Sequence, residues 1–313
     1  MDVFTSLLAH RRRGLARAAV TLLALLAAFA LAGALAACGV DESGADVNAT
    51  GSPTPGAVAP TEAPGTAEPT PASTPGEQMA VRIYFLRGEK LGVAERQVPR
   101  SDAVAAAAMT ALCLGVNADE KEAGLTSALP AGTELLGLEV DGGVATVDLS
   151  GDFASGGGSL SMQARVAQVV YTLTQYPTVK SVDFKVNGES LTTLGGEGLM
   201  LDAGQTRADW REFEPNIFVE RPGVGAVVGS PFVLEGTAMV FEGSFMAELA
   251  DVDGKLLVKV PVQASAGGPE RGDFRESLAF DTPASSGTLI VYDESMEDGS
   301  RQDEVRIPVS LAP

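Results

Sequence analysis

The period of the hydrophobic pattern changes at Trp210, and this change constrains the fold more than any other feature of the chain. Before Trp210, two segments carry apolar residues at the three- and four-residue spacing of an amphipathic helix. After it, only short runs of alternating apolar and polar residues remain, and turn signals separate them. The sequence therefore predicts a domain of helices and strands followed by a domain of strands alone.

The predicted first domain covers residues 79–203 and has the element order ββα-ββ-αβ. Its strands are expected at residues 81–85, 93–98, 136–140, 145–149 and 182–186. Asp141-Gly142-Gly143 is the expected hairpin turn between the third and the fourth strand, and residues 118–132 are interpreted as a loop. A mixed sheet with both helices on one face buries their apolar stripes most simply, so the predicted fold class is α+β.

Caps and apolar stripes predict the two helices of this domain. The first is expected to begin after an N-cap at Ser101 and to stop at Gly115, with an apolar stripe formed by Val104, Ala105, Ala108, Met109 and Leu112. The second is expected to be capped by Ser159 or Ser161 and to end at Pro177. Its buried face is predicted to contain Met162, Val166, Val169, Val170 and Leu173.

The predicted second domain covers residues 216–313 and contains strands only. Seven short strands are expected, at residues 217–220, 232–238, 245–249, 256–262, 274–280, 289–292 and 305–311. This number and spacing of strands is typical of an all-β immunoglobulin-like sandwich. The Cys…Trp…Cys core of antibody domains is missing from the sequence, so an antibody-type domain is not expected.

The N-terminal segment has the organisation of an export signal. Arginines at positions 11–13 and 17 precede an apolar run that ends in small residues and Cys38. Residues 35–38 resemble the lipobox of bacterial lipoproteins, in which the cysteine thiol takes a diacylglyceryl group and becomes the mature N-terminus. We therefore expect residues 1–38 to be a lipoprotein signal peptide and Cys38 to be the lipidation site. The alternative is a transmembrane helix, because the run approaches the ~20 residues that span a bilayer.

Residues 39–78 are rich in proline, threonine, alanine, glycine and serine. They offer almost no large apolar side chains to bury, so we interpret them as a disordered linker. A flexible coil of this length spans roughly 35 Å, and a fully polyproline II segment about 120 Å. Together with the lipid anchor, the linker would hold the folded part on the extracytoplasmic side of the cell membrane, away from its surface.

Charge and histidine content exclude several classes of function. The chain has 22 basic and 41 acidic residues; residues 1–38 account for four arginines and one aspartate, which leaves 18 basic and 40 acidic residues. Such a surface repels nucleic acid, so no nucleic-acid partner is expected. The one histidine, His10, lies in the predicted signal segment, which excludes imidazole-based catalysis and H-E-x-x-H zinc sites from the mature part. No cofactor and no metal are expected.

Three aspartates are the candidates for carboxylate chemistry. Asp148 and Asp152 lie around the end of one predicted strand, and Asp183 lies on another. Paired carboxylates act as acid and base in glycosidases when they face each other across a cleft, but nothing in the sequence shows such a cleft. No catalytic residue is therefore assigned. Cys113 has no disulfide partner if Cys38 is lipidated, and its helical spacing predicts a small buried apolar residue.

Other conspicuous residues are assigned structural roles. Residues 251–254 lack the further acidic positions of a calcium loop and are interpreted as a hairpin turn. Residues 293–298 are interpreted as a solvated loop, with a weak calcium contact as the alternative. Glycines 156–158 lack the lysine and flanking pattern of a phosphate-binding loop. Tyr171, Tyr176 and Trp210 are expected to pack inside the protein instead of forming a sugar-binding platform.

Several strings in both predicted domains resemble families of spore proteins. Residues 129–133, 140–150, 169–177 and 182–188 resemble the GerMN domain of sporulation and spore-germination lipoproteins. Residues 219–222, 230–238, 241–243, 272–274 and 298–300 resemble the immunoglobulin-like domain associated with spore germination. The resemblance implies an extracytoplasmic, non-enzymatic module that contacts peptidoglycan or a protein complex, and it supplies no catalytic residues. The alanine-rich signal and long linker leave open a bacterium that forms no spores.

The expected function is that of a membrane-anchored lipoprotein that binds the cell wall or envelope proteins without catalysis. Two alternatives stay open. One is a carboxylate-dependent cell-wall hydrolase that uses Asp148, Asp152 or Asp183. The other is an accessory sensor that modulates a membrane receptor or kinase.

Overall fold

A computed structural model of the protein describes residues 77–195 and 198–312. The predicted signal segment 1–38, with the expected lipidation site Cys38, lies outside the described residues. The predicted linker 39–78 also lies outside them, except for its last two residues, and Gln78 already begins the first strand.

The first domain contains two long hairpins, one long helix and several short elements. Its strands are β1 (Gln78–Arg87), β2 (Lys90–Pro99), β3 (Leu125–Thr126), β4 (Leu135–Asp141), β5 (Val144–Leu149), β6 (Ser181–Val186), β7 (Glu189–Ser190), β8 (Thr193–Leu194) and β9 (Leu199–Met200). Its helices are α1 (Val104–Cys113), α2 (Ala118–Glu122) and α3 (Ser159–Thr174). The α+β class and the order of the main elements are as predicted.

The prediction of a loop over residues 118–132 is wrong in part, because α2 and β3 lie there. A capping box begins α2: Glu120 N donates to Asn117 Oδ1 at 2.9 Å, and Asn117 N donates to Glu120 Oε2 at 2.8 Å. This reciprocal pair satisfies two backbone donors that a helix start leaves open. The Asn-x-x-Glu spacing in the sequence is the pattern of a capping box, and it indicates the start of α2.

The strands of the first domain form two main sheets, whereas one mixed sheet was predicted. The mixed sheet has the order β4-β5-β6-β7, and β5 and β6 in it are parallel, with α3 between them in the chain. The other sheet is antiparallel, with the order β2-β1-β3. Side chains of α3 bond to β1: Tyr84 N donates to Thr172 Oγ1 at 3.2 Å, and Gln168 Nε2 donates to Tyr84 O at 3.1 Å. These bonds occupy the backbone N–H and C=O groups of Tyr84, with which a further strand would have to pair at this edge of β1.

Helix α3 is the centre of the first domain. Its predicted apolar face is buried, and so is every residue from 164 to 173. The expected caps of α1 and α3 are displaced. Ser101 Oγ accepts a hydrogen bond from Ala103 N at 3.1 Å in the turn before α1, so Ala103 takes the N-cap position. Gly158 is the N-cap residue of α3, and Ser159 is its first helical residue.

All seven strands predicted for the second domain are present, and a short eighth strand joins them. They are β10 (Ile217–Arg221), β11 (Val227–Val228), β12 (Phe232–Ala238), β13 (Ser244–Asp251), β14 (Leu256–Gln263), β15 (Gly272–Leu278), β16 (Ser286–Glu294) and β17 (Arg301–Leu311). They form two sheets with the orders β10-β12-β15 and β11-β17-β16-β13-β14. Phe245 of β13 and Phe274 of β15 meet between the sheets, with ring centroids 4.9 Å apart. The domain is an immunoglobulin-like sandwich.

The turn between β13 and β14 is the hairpin turn that the sequence predicts. Asp251 Oδ1 accepts hydrogen bonds from the backbone nitrogens of Asp253, at 3.0 Å, and Lys255, at 2.9 Å. An aspartate that bonds its own turn in this way stabilises the reversal of the chain. The carboxylate therefore has a structural role at this position.

Candidate functional site

The candidate site is the junction between the two domains. A 3-10 segment with a kink at Trp210, Arg207–Phe213, leads from the first domain into the second. At its start, Thr206 N and Thr206 Oγ1 both donate to Asp209 Oδ2 at 2.8 Å. These bonds fix the backbone beside Arg207, whose side chain contacts both domains.

The Arg207 guanidinium binds partners from β1, α3 and β10. Its Cζ lies 5.3 Å from the ring centre of Tyr84 and 4.7 Å from that of Tyr171, the geometry of cation–π contacts. Its Nη2 donates to Tyr84 Oη at 3.1 Å, and its Nη1 forms an ion pair with Glu220. Burial acts to lower the pKa of Arg207, but Tyr84 and Glu220 outweigh it and raise the pKa. Arg207 is therefore a permanent charge that links the domains.

The two tyrosines that contact Arg207 remain protonated at neutral pH. Burial, followed by the charge of Glu220, raises the pKa of Tyr84 to about 12. Burial also raises the pKa of Tyr171, as does its 2.6 Å hydrogen bond to Glu214 Oε1. With Phe218 of β10, the two rings form a cluster with centroid distances of 5.7, 6.0 and 6.1 Å. This cluster is a shared core of the two domains, and its phenols are poor acid–base groups at neutral pH.

A second ion pair reinforces the junction. Arg271 Nε lies 2.8 Å from Glu214 Oε2, in ion-pair contact but without hydrogen-bond geometry. Arg271 also donates to Pro215 O at 2.9 Å and to Thr237 Oγ1 at 3.1 Å. Because Glu214 accepts the hydrogen bond from Tyr171 as well, this pair connects α3 of the first domain to β12 of the second.

Backbone hydrogen bonds connect the domains next to these side chains. Val224 N donates to Val93 O, and Glu95 N donates to Val224 O, both at 2.8 Å, so Val224 pairs with β2. A Cβ at Gly223 would lie 2.9 Å from the carbonyl carbon of Ala94, a contact distance that real Cβ atoms essentially never have. Only glycine lets the two backbones approach this closely. The junction therefore combines a ring cluster, two ion pairs and a backbone bridge in one body.

The aromatic residues are located where packing was predicted. Trp210 is buried, donates from Nε1 to Gln205 Oε1 at 2.9 Å and lies against Phe213, with centroids 6.3 Å apart. Tyr171 is buried in the junction cluster, and Tyr176 is partly buried, with its hydroxyl 3.3 Å from Val104 O. The expectation of structural roles for all three is confirmed.

Two open grooves adjoin the junction, and Glu95 lines both. One has a volume of about 730 Å³ and is also lined by Arg96, Glu120 and Val252. The other has a volume of about 670 Å³, and its lining includes Arg82, Tyr176, Arg221 and Phe232. Burial raises the pKa of Glu95, while Arg221 and Arg82 oppose this shift. The grooves combine apolar and charged lining, which suits docking of a partner.

The arginines of these grooves are already paired within the protein. Arg96 binds both carboxylate oxygens of Glu120, at 2.7 and 2.5 Å. Arg82 Nη1 and Arg221 Nε lie 3.8 and 3.4 Å from Glu235 Oε1. Because these charges have internal partners, they serve mainly to hold the groove walls.

The three candidate aspartates are not arranged as a facing pair. Asp148 and Asp183 lie on β5 and β6, on the face opposite the buried residues of those strands. Asp148 Oδ1 accepts a hydrogen bond from Gly188 N at 3.0 Å, and Asp183 Oδ1 accepts one from Gly204 N at 2.6 Å. Asp152 lies in the short 3-10 turn Gly151–Ala154 after β5. Two of the three carboxylates thus bind turns of the backbone.

Sequence reasoning missed Arg165, a buried arginine on α3. Its guanidinium donates to the carbonyl oxygens of Ala128 and Gly156, at 3.3 and 3.2 Å, and to those of Phe153 and Ser155. The glycine-rich loop therefore presents carbonyl oxygens to a cation, which is the opposite of a phosphate-binding loop. Burial lowers the pKa of Arg165. Arg165 lies on the predicted helix beside its apolar stripe, and no local pattern in the sequence indicates that its guanidinium binds carbonyl oxygens elsewhere in the chain.

Cys113, at the end of α1, is partly buried and packs against the core, so the expectation of a small buried apolar residue holds in part. Burial raises the pKa of its thiol to about 11, so the thiol is a poor nucleophile at neutral pH. Within residues 77–195 and 198–312, no group of three or more histidine, cysteine or acidic side chains is arranged to hold a metal ion. None of the helices in the same ranges has both the length and the apolar character of a membrane span.

Comparisons with known proteins identify both domains. Residues 82–192 match the family model Germane, described as sporulation and spore germination. Residues 216–300 match the model Gmad2, described as an immunoglobulin-like domain of bacterial spore germination. No curated protein matches the chain.

Two solved structures from Bacillus subtilis are similar to the chain. The tandem GerMN domains of the sporulation protein GerM match at 19% identity, over 59% of this chain and 60% of that chain, with a TM-score of 0.38. The first GerMN domain of GerM matches at 22% identity, over 42% of this chain and 99% of that chain, with a TM-score of 0.37. Both family models match in order, so the chain joins a Germane domain of sporulation and spore germination to an immunoglobulin-like Gmad2 domain.

Proposed function

We propose that this protein is a lipid-anchored extracytoplasmic lipoprotein that acts by binding the cell wall or envelope proteins, and not by catalysis. The Germane and Gmad2 domains support a setting in sporulation or spore germination. The lipobox-like residues 35–38 support an anchor at Cys38, and two or more acyl chains make such an anchor stable. The folded part then reaches its partners from the membrane surface.

The observation that carries this proposal is the fixed junction of the two domains. Arg207, Glu220 and the ring cluster hold both domains as one body, which suits a protein that presents surfaces at a set spacing. A hydrolase needs two carboxyl groups across a cleft, with separations of roughly 5 to 10 Å. Asp148 and Asp183 instead share one outer sheet face and bind turns, which favours docking over chemistry.

The proposal is tested with the full chain in the bacterium that makes it. Membrane fractionation is expected to recover the protein with the membranes, and mass spectrometry to find diacylglyceryl on Cys38. The Cys38→Ser variant should leave the membrane fraction. Recovery of an unmodified, uncleaved N-terminus inside the cell would overturn the anchored location.

Binding is tested separately from anchoring. Detergent-extracted full chain is incubated with purified cell walls, and in parallel the native protein is cross-linked in cells and its partners are identified. Retention on walls or a specific envelope cross-link supports the docking function, and absence of both contradicts it. Release of soluble muropeptides that is lost in an Asp148→Asn, Asp152→Asn, Asp183→Asn variant would establish the hydrolase alternative instead.

A further inference from the structure

A hollow in the second domain exposes large apolar side chains. It has a volume of about 490 Å³ and is lined by the turn after β12, the start of β13, the end of β16, the β16–β17 connection and Gln302. We call it the Phe241 hollow. Phe241 is 61% exposed and Met296 is 84% exposed, and the two lie 55 positions apart in the chain. Single exposed apolar residues are ordinary, whereas two that line one hollow together offer an apolar surface on which a partner could pack.

The turn that carries Phe241 is rigid. Glu242 in this turn has a φ of 52°, a left-handed conformation that costs a residue with a side chain about 1 kcal/mol or more. Three hydrogen bonds hold the turn: Gly243 N to Val240 O at 3.0 Å, Ala264 N to Gly243 O at 2.8 Å, and Gln263 Nε2 to Glu242 O at 2.8 Å. The fold therefore maintains a strained turn whose aromatic side chain stays in solvent.

Glycines lock the same turn against the neighbouring chain. A Cβ at Gly243 would lie 2.5 Å from Ala266 O, and a Cβ at Gly267 would lie 2.7 Å from Gly243 N. Such close backbone contacts leave the turn little freedom to move. A side chain presented on a fixed backbone loses less conformational entropy when it binds, which favours affinity.

The charge around the Phe241 hollow is negative and, in the part of the chain that the structure describes, is not balanced by an ion pair. Glu242, Asp293, Glu294 and Glu297 line it, and its lining includes no lysine or arginine. Among the described residues, no ion pair involves any of these four carboxylates. Burial raises the pKa of Asp293, and the negative charges of Asp303 and Glu294 raise it as well, while a backbone hydrogen bond opposes them. The hollow is thus complementary to a cation.

We propose that the Phe241 hollow is a docking site for a basic segment of an envelope protein that carries an aliphatic side chain between its lysines or arginines. The aliphatic group would pack on Phe241 and Met296, and the flanking cations would pair with the carboxylates or lie over the Phe241 ring. The four carboxylates repel anionic lipid headgroups and anionic wall polymers, so a protein segment is the occupant that fits. The inference rests on the proposed extracytoplasmic docking function and names one partner class for it.

The test uses the purified full chain and three short fluorescent peptides, read by anisotropy. One peptide alternates lysine and leucine, the second replaces lysine by glutamate, and the third replaces leucine by serine. The lysine–leucine peptide is expected to bind, with an affinity that falls as salt rises. Phe241→Ala should weaken it about tenfold, or ~1.4 kcal/mol. The double variant Glu294→Gln, Glu297→Gln should weaken it and flatten its salt dependence.

Matched controls lie in the first domain. Met200→Ala removes another exposed apolar side chain, 67% exposed, and Glu139→Gln removes another exposed carboxylate; both should leave peptide binding unchanged. Thermal unfolding of each variant checks that it is folded. Equal binding of the glutamate or serine peptide, binding that Phe241→Ala leaves intact, or failure of the lysine–leucine peptide to bind at submillimolar concentration would overturn the assignment. Wall retention and envelope cross-linking of Phe241→Ala are measured alongside, so that failure of this site is distinguished from failure of docking altogether.

Discussion

Arg207 forms an ion pair with Glu220 across the junction between the Germane and Gmad2 domains, while two tyrosine rings of the first domain lie against its guanidinium. Both side chains of the pair are largely buried: that of Arg207 is 29% exposed and that of Glu220 is 17% exposed. Loss of one partner therefore leaves a poorly solvated charge on the other. This relationship makes the junction a defined target for testing how firmly the domains are joined.

Replacement of Arg207 should destabilise the whole folded body. We expect Arg207→Met to lower the free energy of unfolding by about 2 kcal/mol, below the ~3–5 kcal/mol of a fully buried pair because solvent still reaches both side chains. Urea unfolding measures this change. Arg100→Met, in an exposed pair with Glu77, is the control and should cost about 0–1 kcal/mol. A Glu220→Gln variant completes a double-mutant cycle, and a coupling energy near zero would contradict the role of the pair.

A side chain at Gly223 should open the backbone bridge between the domains. The new methyl group of Gly223→Ala would meet the backbone of Ala94, and overpacking of this kind costs roughly 1–3 kcal/mol. Amide hydrogen exchange should become faster at Val224 and Glu95, whose N–H groups form the bridge. Gly229→Ala is the control, because nothing lies within 4 Å of its added carbon. Unchanged exchange in Gly223→Ala would refute the close approach.

Acid should weaken the second domain through Glu248. Burial acts to raise the pKa of Glu248, but hydrogen bonds from Tyr292, Lys259 and Arg301 outweigh it and lower the pKa. A lowered folded-state pKa stabilises the protein above the unfolded value of ~4.3, and this contribution is lost as pH falls through the folded pKa. Glu248→Gln should therefore flatten the acid side of a plot of unfolding free energy against pH. A plot with the same acid slope as wild type would contradict this assignment, and the exposed Glu139→Gln is the control.

Cys113 should react slowly with alkylating reagents. A thiol with a pKa of about 11 is ionised in roughly one molecule per thousand at pH 8, and the thiolate is the reactive form. In a Cys38→Ser variant, which leaves Cys113 as the only thiol, iodoacetamide should modify the native protein at least a hundredfold more slowly than the urea-unfolded one. Similar rates in both states would show that the thiol is accessible and activated.

Local patterns in the sequence predicted most of the elements. The seven alternating runs after Trp210 are strands, and the apolar stripe of α3 from Met162 to Leu173 is buried. These predictions succeed because strand and helix periods depend on residues close together in the chain. The capping box at Asn117 was equally local, and α2 could have been predicted from it.

The sheet arrangement and the junction could not be predicted in this way. Tyr84 and Arg207 are 123 positions apart, and no local pattern reports that they meet. Gln168 and Thr172 appear in the sequence as polar breaks in a helix stripe, yet they bind the backbone of β1 and so divide the predicted single sheet. The candidate aspartates show the same limit, because their hydrogen bonds to Gly188 and Gly204 depend on tertiary structure.

The bridge at Val224 also protects the first domain from other chains. An unpaired strand edge invites pairing with a strand of another molecule, and β2 is the outer strand of its sheet. Truncation between the domains would uncover this edge and, on the other piece, the ring of Phe218. Either half on its own would then be prone to aggregate, because each domain covers an aggregation-prone surface of the other.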